Sequence, residues 1–175
     1  MRKNRIEIMA RVLMGLVAIT GLVWTYLYVR DVTDAVFLQD WSAWPFVDET
    51  LSVTISMRLS MLPIYIPMLV FGLGNIVFAL LLLNLFQKSI FFDPRAAKWI
   101  KLLGLSMVGA MISDTLLWLV ARPLYSRWNA DGPVALDYYF DNGDIVIGLA
   151  GLGFVLCGSL MREAIVIAQE TEGLV

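Results

Sequence analysis

The 175-residue chain has no histidine. That removes the commonest general base and the commonest metal ligand. It has one cysteine, Cys157. A single thiol makes no internal disulfide and no cysteine-based zinc site. Lying in an apolar run, Cys157 reads as a small buried core residue. Charge is scarce as well: Asp, Glu, Lys and Arg make up 16% of the chain, against about a quarter in soluble domains. No Ser/His pair, paired-Asp site or His-rich site of an intramembrane protease occurs. No phosphate-cradling glycine loop and no low-complexity segment stands out. The expectation is a protein that is not an enzyme, with no catalytic residue, no metal and no cofactor.

What the chain does have is hydrocarbon. Its residues are 59% hydrophobic and its mean hydropathy is +0.77. Four apolar runs occupy 8–29, 59–86, 102–121 and 144–161. Crossing a bilayer takes about 20 mostly apolar residues, and charges fall almost wholly between the runs. The expected fold is all-α: a four-transmembrane-helix bundle forming a single membrane domain over 1–175, with the lipid bilayer as its solvent. The first run is longer than the 7–15 apolar residues of a secretory signal, so it reads as an uncleaved span.

Lysine and arginine accumulate in cytoplasmic segments. Arg2, Lys3, Arg5 and Arg11 precede or open the first run, and Lys88, Arg95, Lys98 and Lys101 lie between the second and third. The other two connections, 30–58 and 122–143, are acidic. Both termini are therefore expected in the cytoplasm and two acidic loops outside. Aromatic belts mark membrane interfaces. Trp24, Trp41, Trp44, Trp118, Trp128 and all six tyrosines fall toward the outer side, and Trp99 toward the inner one. Anchoring is the plain reading of these rings, and an outer binding surface is its competitor.

Residues 51–61 alternate apolar and polar, a strand signature. With 134–140 as partner they suggest a small extracytoplasmic β-ribbon; an early start of the second helix is the alternative. Pro63 and Pro67 stand at the outer start of the second span, where a helix begins or bends. Asp93 followed by Pro94 is a helix start, the carboxylate capping free N–H groups and proline suiting the first helical position. After the fourth run nothing breaks the helix at Arg162. A cytoplasmic tail helix is expected at least to Gln169, with Ala164, Ile165 and Ala168 on an apolar face.

The segment Phe91-Phe92-Asp93-Pro94-Arg95, leading through basic residues into an apolar span, and the tail Arg162-Glu163-Ala164 through Gln169-Glu170-Thr171-Glu172-Gly173-Leu174-Val175 resemble the bacterial four-helix membrane family called domain of unknown function 2975. The Glu-Thr-Glu-Gly close departs from that family's more usual ending. The resemblance implies a bacterial inner-membrane protein without an established activity. It also implies a regulatory partner, because members are often encoded beside a small helix-turn-helix regulator.

Asp114 is the most informative single residue. An ionisable group within a span is costly, by about 2.5–3.5 kcal/mol on insertion scales, and faces the bundle interior. At about 1.5 Å per residue, Asp114 lies about 18 Å from the inner end of its run, Asn75 about 16 Å and Thr20 about 18 Å. Gly148, Gly151 and Gly153 fall near the same depth. An intramembrane polar layer of Thr20, Asn75 and Asp114 is expected, with glycines opposite and no second buried charge for a relay. Its function would be proton or cation sensing, or a step in ion movement; a structural hydrogen bond setting helix register competes with that. Ser106, Ala110 and Ser113 read as packing surface.

Two functions follow. The first is a non-catalytic regulatory or sensory membrane protein engaging a cytosolic partner, such as a small helix-turn-helix regulator, through Arg95, Lys98, Lys101, Arg162 and Glu163 and the tail acids Glu170 and Glu172. Direct nucleic-acid contact is not expected. The alternative is a subunit of a channel, transporter or envelope complex, with Asp114 and Asn75 lining a path or a helix contact. One buried acid in four spans would then require oligomerisation. For the basic cluster, topology and attraction to anionic lipid are the plain explanation.

Overall fold

The structure, a computed structural model, describes residues 2–34, 37, 59, 62–88, 90, 92–125 and 142–172. Four helices carry it: α1 (Arg2–Thr33), α2 (Leu62–Gln87), α3 (Pro94–Tyr125) and α4 (Asn142–Glu172). They are 26 to 32 residues long, roughly 39–48 Å at 1.5 Å per residue. All four are long and apolar enough to cross a membrane. Among the described residues there is no strand. The expected ribbon, 51–61 with 134–140, lies outside them except for Leu59, which is helical.

Each helix has a local cause. Uninterrupted apolar sequence fills the middle of all four. α2 starts at Leu62, places Pro63 in its first turn and runs on through Pro67. Pro67 has no N–H to give the carbonyl four residues back. α3 starts as Asp93-Pro94 predicts. The Arg95 N–H donates to Asp93 Oδ1 at 2.7 Å, and Ala96 and Ala97 donate to the Asp93 carbonyl at 2.9 and 3.3 Å. α4 continues unbroken past Arg162 to Glu172.

The helices pack in chain order, α1 on α2, α2 on α3 and α3 on α4. α1 and α4 make no comparable contact, so they flank an open trough. Every neighbouring pair is antiparallel. Gly21 meets Ile76 and Gly72 meets the Trp24 ring, while Gly74 meets Ser106 and Gly109 meets Phe71. Gly104 meets Gly151 and Gly158 meets Ala97 and Lys101. The start of α1, the α2–α3 connection and the end of α4 therefore share one end, called here the N-terminal end.

Buried residues are few. Leu82, Leu85 and Ala96 form a cluster at the N-terminal end, with Phe86, Trp99, Ile100 and Met161 packed on it. The outward faces are apolar: Leu22 is 72% exposed and Leu149 63%. Water rarely tolerates apolar surface this continuous; hydrocarbon does. Cys157 is exposed, not in the core as expected. α4 turns the side bearing Gly148, Gly151 and Gly158 to α3, and Cys157 is off that stripe.

Candidate functional sites: an acidic cavity and a basic groove

A cavity of about 470 Å³ lies in the trough. α1 contributes Thr20 and Trp24, α2 Asn75, α3 Asp114 and α4 Asp144, with apolar side chains and glycines between them. The three residues expected as a polar layer thus share one wall. They do not form a single level. Gly74 packs at Ser106, so Asp114 stands about eight or nine residues farther along α3 than the position beside Asn75, roughly 13 Å at 1.5 Å per residue. The third apolar run begins only at Leu102. α3 instead joins the bundle at Ala96, beside Leu82 and Leu85, which leaves Leu102 already more than a turn inside.

The glycines differ too. Gly148 and Gly151 pack against Met111 and Gly104, below the level of Asp114, and Gly153 has nothing within 4 Å. What stands opposite Asp114 is the first turn of α4, where Asp144 lies. A second carboxyl group, Asp144, half-buried in the first turn of α4, lines the same cavity as Asp114. Asp144 reads in the sequence as the last acid of an outer loop. The antiparallel register that brings it opposite Asp114 is set by the packing of Gly104 on Gly151 and of Gly148 on Met111, for which the sequence carries no local signal.

Hydrogen bonding separates the polar members. The Thr20 hydroxyl donates to the Leu16 carbonyl of its own helix at 2.7 Å. It does not tie α1 to α2. Asn75 Oδ1 is buried with no hydrogen-bond partner among the described residues. An orphaned buried acceptor costs about 1–3 kcal/mol. The bonds that do join helices lie elsewhere. Ser106 Oγ donates to the Phe71 carbonyl at 2.7 Å, and the Tyr28 hydroxyl donates to the Tyr65 carbonyl at 2.8 Å. Tyr28 stacks on Trp24 with ring centroids 5.3 Å apart and lies within electrostatic range of Asp114. Trp24, Tyr28 and Tyr65, read as interface anchors, therefore also fasten α1 to α2.

The second site is at the N-terminal end, a groove of about 920 Å³ between α3 and α4. Lys98, Lys101, Arg162 and Glu163 line it together with apolar Leu105, Val166 and Ile167. Its floor is possible because Gly158 has no side chain. A Cβ there would stand 2.7 Å from the Lys101 nitrogen and 2.8 Å from the Ala97 oxygen. Among the described residues Lys98, Lys101 and Arg162 form no ion pair, and Lys98 Nζ lies 5.3 Å from the Trp99 ring centroid.

Arg95, expected on this surface, is turned to another task. Its Nε donates to Asp93 Oδ1 at 3.0 Å and its Nη2 to Oδ2 at 2.9 Å. These bonds hold the Asp93 carboxyl below its ordinary value of 3.8. The tail face also differs from expectation: Ile165 is buried, Ala164 and Ala168 are exposed, and the apolar residues beside the groove are Val166 and Ile167.

Among the described residues no group of three or more acids, cysteines or histidines is placed to hold a metal ion. Comparison with known protein families, with characterised proteins and with solved structures finds no match.

Proposed function

We propose that this chain is a multi-pass membrane protein that works without catalysis, as a regulatory or sensory component whose N-terminal end engages a cytosolic protein. Both termini face the cytoplasm in this reading, following the Lys/Arg bias. The observation that carries it is the groove. Four residues from two helices, Lys98, Lys101, Arg162 and Glu163, converge on one concave surface beside exposed Val166 and Ile167. A concave surface mixing both charges with apolar patches suits a protein partner. Resemblance to the family of domain of unknown function 2975 favours a small helix-turn-helix regulator as that partner, and the bacterial inner membrane as the location.

The test is co-isolation from native membranes with wild-type protein and with the Lys98→Glu/Lys101→Glu variant. A DNA-binding or signalling protein that accompanies the wild type and is lost from the variant supports the reading. Equal recovery with both, or no such protein with either, opposes it.

A second reading, a subunit of a channel, transporter or envelope complex, is favoured by the pair Asp114 and Asp144 on one cavity. Intramembrane acids facing a bundle interior mark ion and substrate pathways. Ion flux in liposomes that falls on Asp114→Asn substitution would support it.

A further inference from the structure

We propose that the span-side half of the groove between α3 and α4 is a binding site for one anionic phospholipid, its phosphate held by Lys98, Lys101 and Arg162. This rests on the reading of the chain as a membrane protein and not on that of a protein partner.

Two helical stripes build the site. Lys98, Lys101, Leu102 and Leu105 line it from α3, and Ser159 and Arg162 from α4. Residues three and four apart share a helix face, so each set forms one wall. Gly158 brings the walls together by packing on Ala97 and Lys101. The helices run antiparallel. Toward the N-terminal end, Lys98 lies about 4.5 Å beyond Lys101, and Arg162 about 6 Å beyond Gly158. Three cationic groups from two helices thus fall within a band about 6 Å deep.

Their charge is open. All three are exposed, and among the described residues none of them forms an ion pair. Asp93, the acid nearest to Lys98 along the chain, is held by Arg95. Glu163 is the one acid among the described lining residues. Three cations against one acid leave a net charge of +2.

The level fits a headgroup. Lys101 is the last charge before the apolar run 102–121, and Arg162 is the first after the run 144–161. The band therefore marks the polar edge of both spans. Trp99, a residue type of membrane interfaces, stands there too, with Lys98 Nζ 5.3 Å from its ring centroid. Toward the middle of the spans the stripes continue through Leu105 and Ile112 on α3 and Leu152 on α4, all exposed. That apolar seam suits acyl chains. Basic pockets between spans hold anionic headgroups. Diffuse attraction to a charged leaflet needs only net charge; this groove adds walls, and with them a stoichiometry of one lipid per chain. Val166 and Ile167 lie beyond the band on the side away from the seam, and stay open to a protein.

The experiment titrates full-length protein in neutral detergent micelles with phosphatidylglycerol, with phosphatidylcholine of the same chains and with glycerol 3-phosphate, and counts adducts by native mass spectrometry. One phosphatidylglycerol per chain is expected at concentrations where phosphatidylcholine is not retained, and glycerol 3-phosphate should not displace it. Lys98→Gln/Lys101→Gln should weaken retention about 25-fold, about fivefold for each lysine beside an anionic headgroup. Arg5→Gln/Arg11→Gln on α1 removes the same charge outside the groove and should leave retention unchanged. Unchanged thermal unfolding shows that each variant is folded, and the comparison of lipids on the wild type needs no variant. Equal retention of the two lipids, displacement by glycerol 3-phosphate, or a groove variant that retains the lipid as well as the α1 variant would overturn the assignment. No cytosolic protein is present in this experiment, so the lipid site and the partner reading fail separately.

Discussion

Gly104 of α3 and Gly151 of α4 meet backbone to backbone: a Cβ on Gly151 would stand 2.8 Å from the Gly104 carbonyl oxygen. Small residues let helices in lipid approach to this distance, where van der Waals packing drives association. Gly151→Val should cost roughly 1–3 kcal/mol, the usual penalty of overpacking. Gly153→Ala, two residues away with nothing within 4 Å, should leave stability unchanged or slightly raised, since alanine is the better helix former. Reversible unfolding in mixed micelles measures both. Equal destabilisation by the two would contradict the α3–α4 register.

Ser106→Ala removes the α2–α3 hydrogen bond to the Phe71 carbonyl. Interhelical bonds in a membrane average about 0.6 kcal/mol, so the expected loss is of that size. Ser106→Leu should cost more, because Gly74 packs directly against this side chain. The same unfolding assay ranks the two variants.

Tyr28→Phe tests the fastening of α1 to α2. It removes the donor to the Tyr65 carbonyl and keeps the ring that stacks on Trp24. The expected loss is about 1 kcal/mol. Tyr28→Ala, which also removes the stack, should lose more. A double-mutant cycle with Trp24→Ala should show coupling between positions 24 and 28.

The start of α3 should depend on pH in the acid range. Asp93 caps the helix as a carboxylate and is held below 3.8 by the Arg95 hydrogen bonds. A depressed carboxyl contributes stability that is fully present above its unfolded value and is lost as pH falls through the folded one. Carbon-detected NMR of the Asp93 carboxyl should therefore find its midpoint under 3.8, and Arg95→Gln should move it up. A midpoint unmoved by Arg95→Gln would show that the pair does not form.

Much of this architecture is legible in the chain because its causes are local. Four long apolar runs, the Asp93-Pro94 start and the absence of a break at Arg162 each act within a few residues, and each has its counterpart in α1–α4. Thr20, Asn75 and Asp114 line one cavity, but Thr20 is exposed and bonded within its own helix, and the three do not make the single layer expected of them. Register is not legible. Depths counted from the ends of apolar runs miss that α3 enters the bundle at Ala96, well before the apolar run begins at Leu102. That offset separates Asp114 from Asn75 and sets it level with Asp144. Cys157 and Arg95 illustrate the same limit: which face of α4 turns to α3, and that Arg95 folds back onto Asp93, are decided by packing and geometry between residues, not by residue type.

The groove at the N-terminal end is the centre of the functional account, and a photo-crosslinking amino acid in place of Lys98 probes it most directly. Irradiated in native membranes, it should form an adduct with a soluble DNA-binding or signalling protein, and the adduct should disappear when Arg162 and Lys101 are both replaced by Glu. Adducts with lipid or other membrane subunits alone would contradict the regulatory reading and shift the function to the cavity of Asp114 and Asp144.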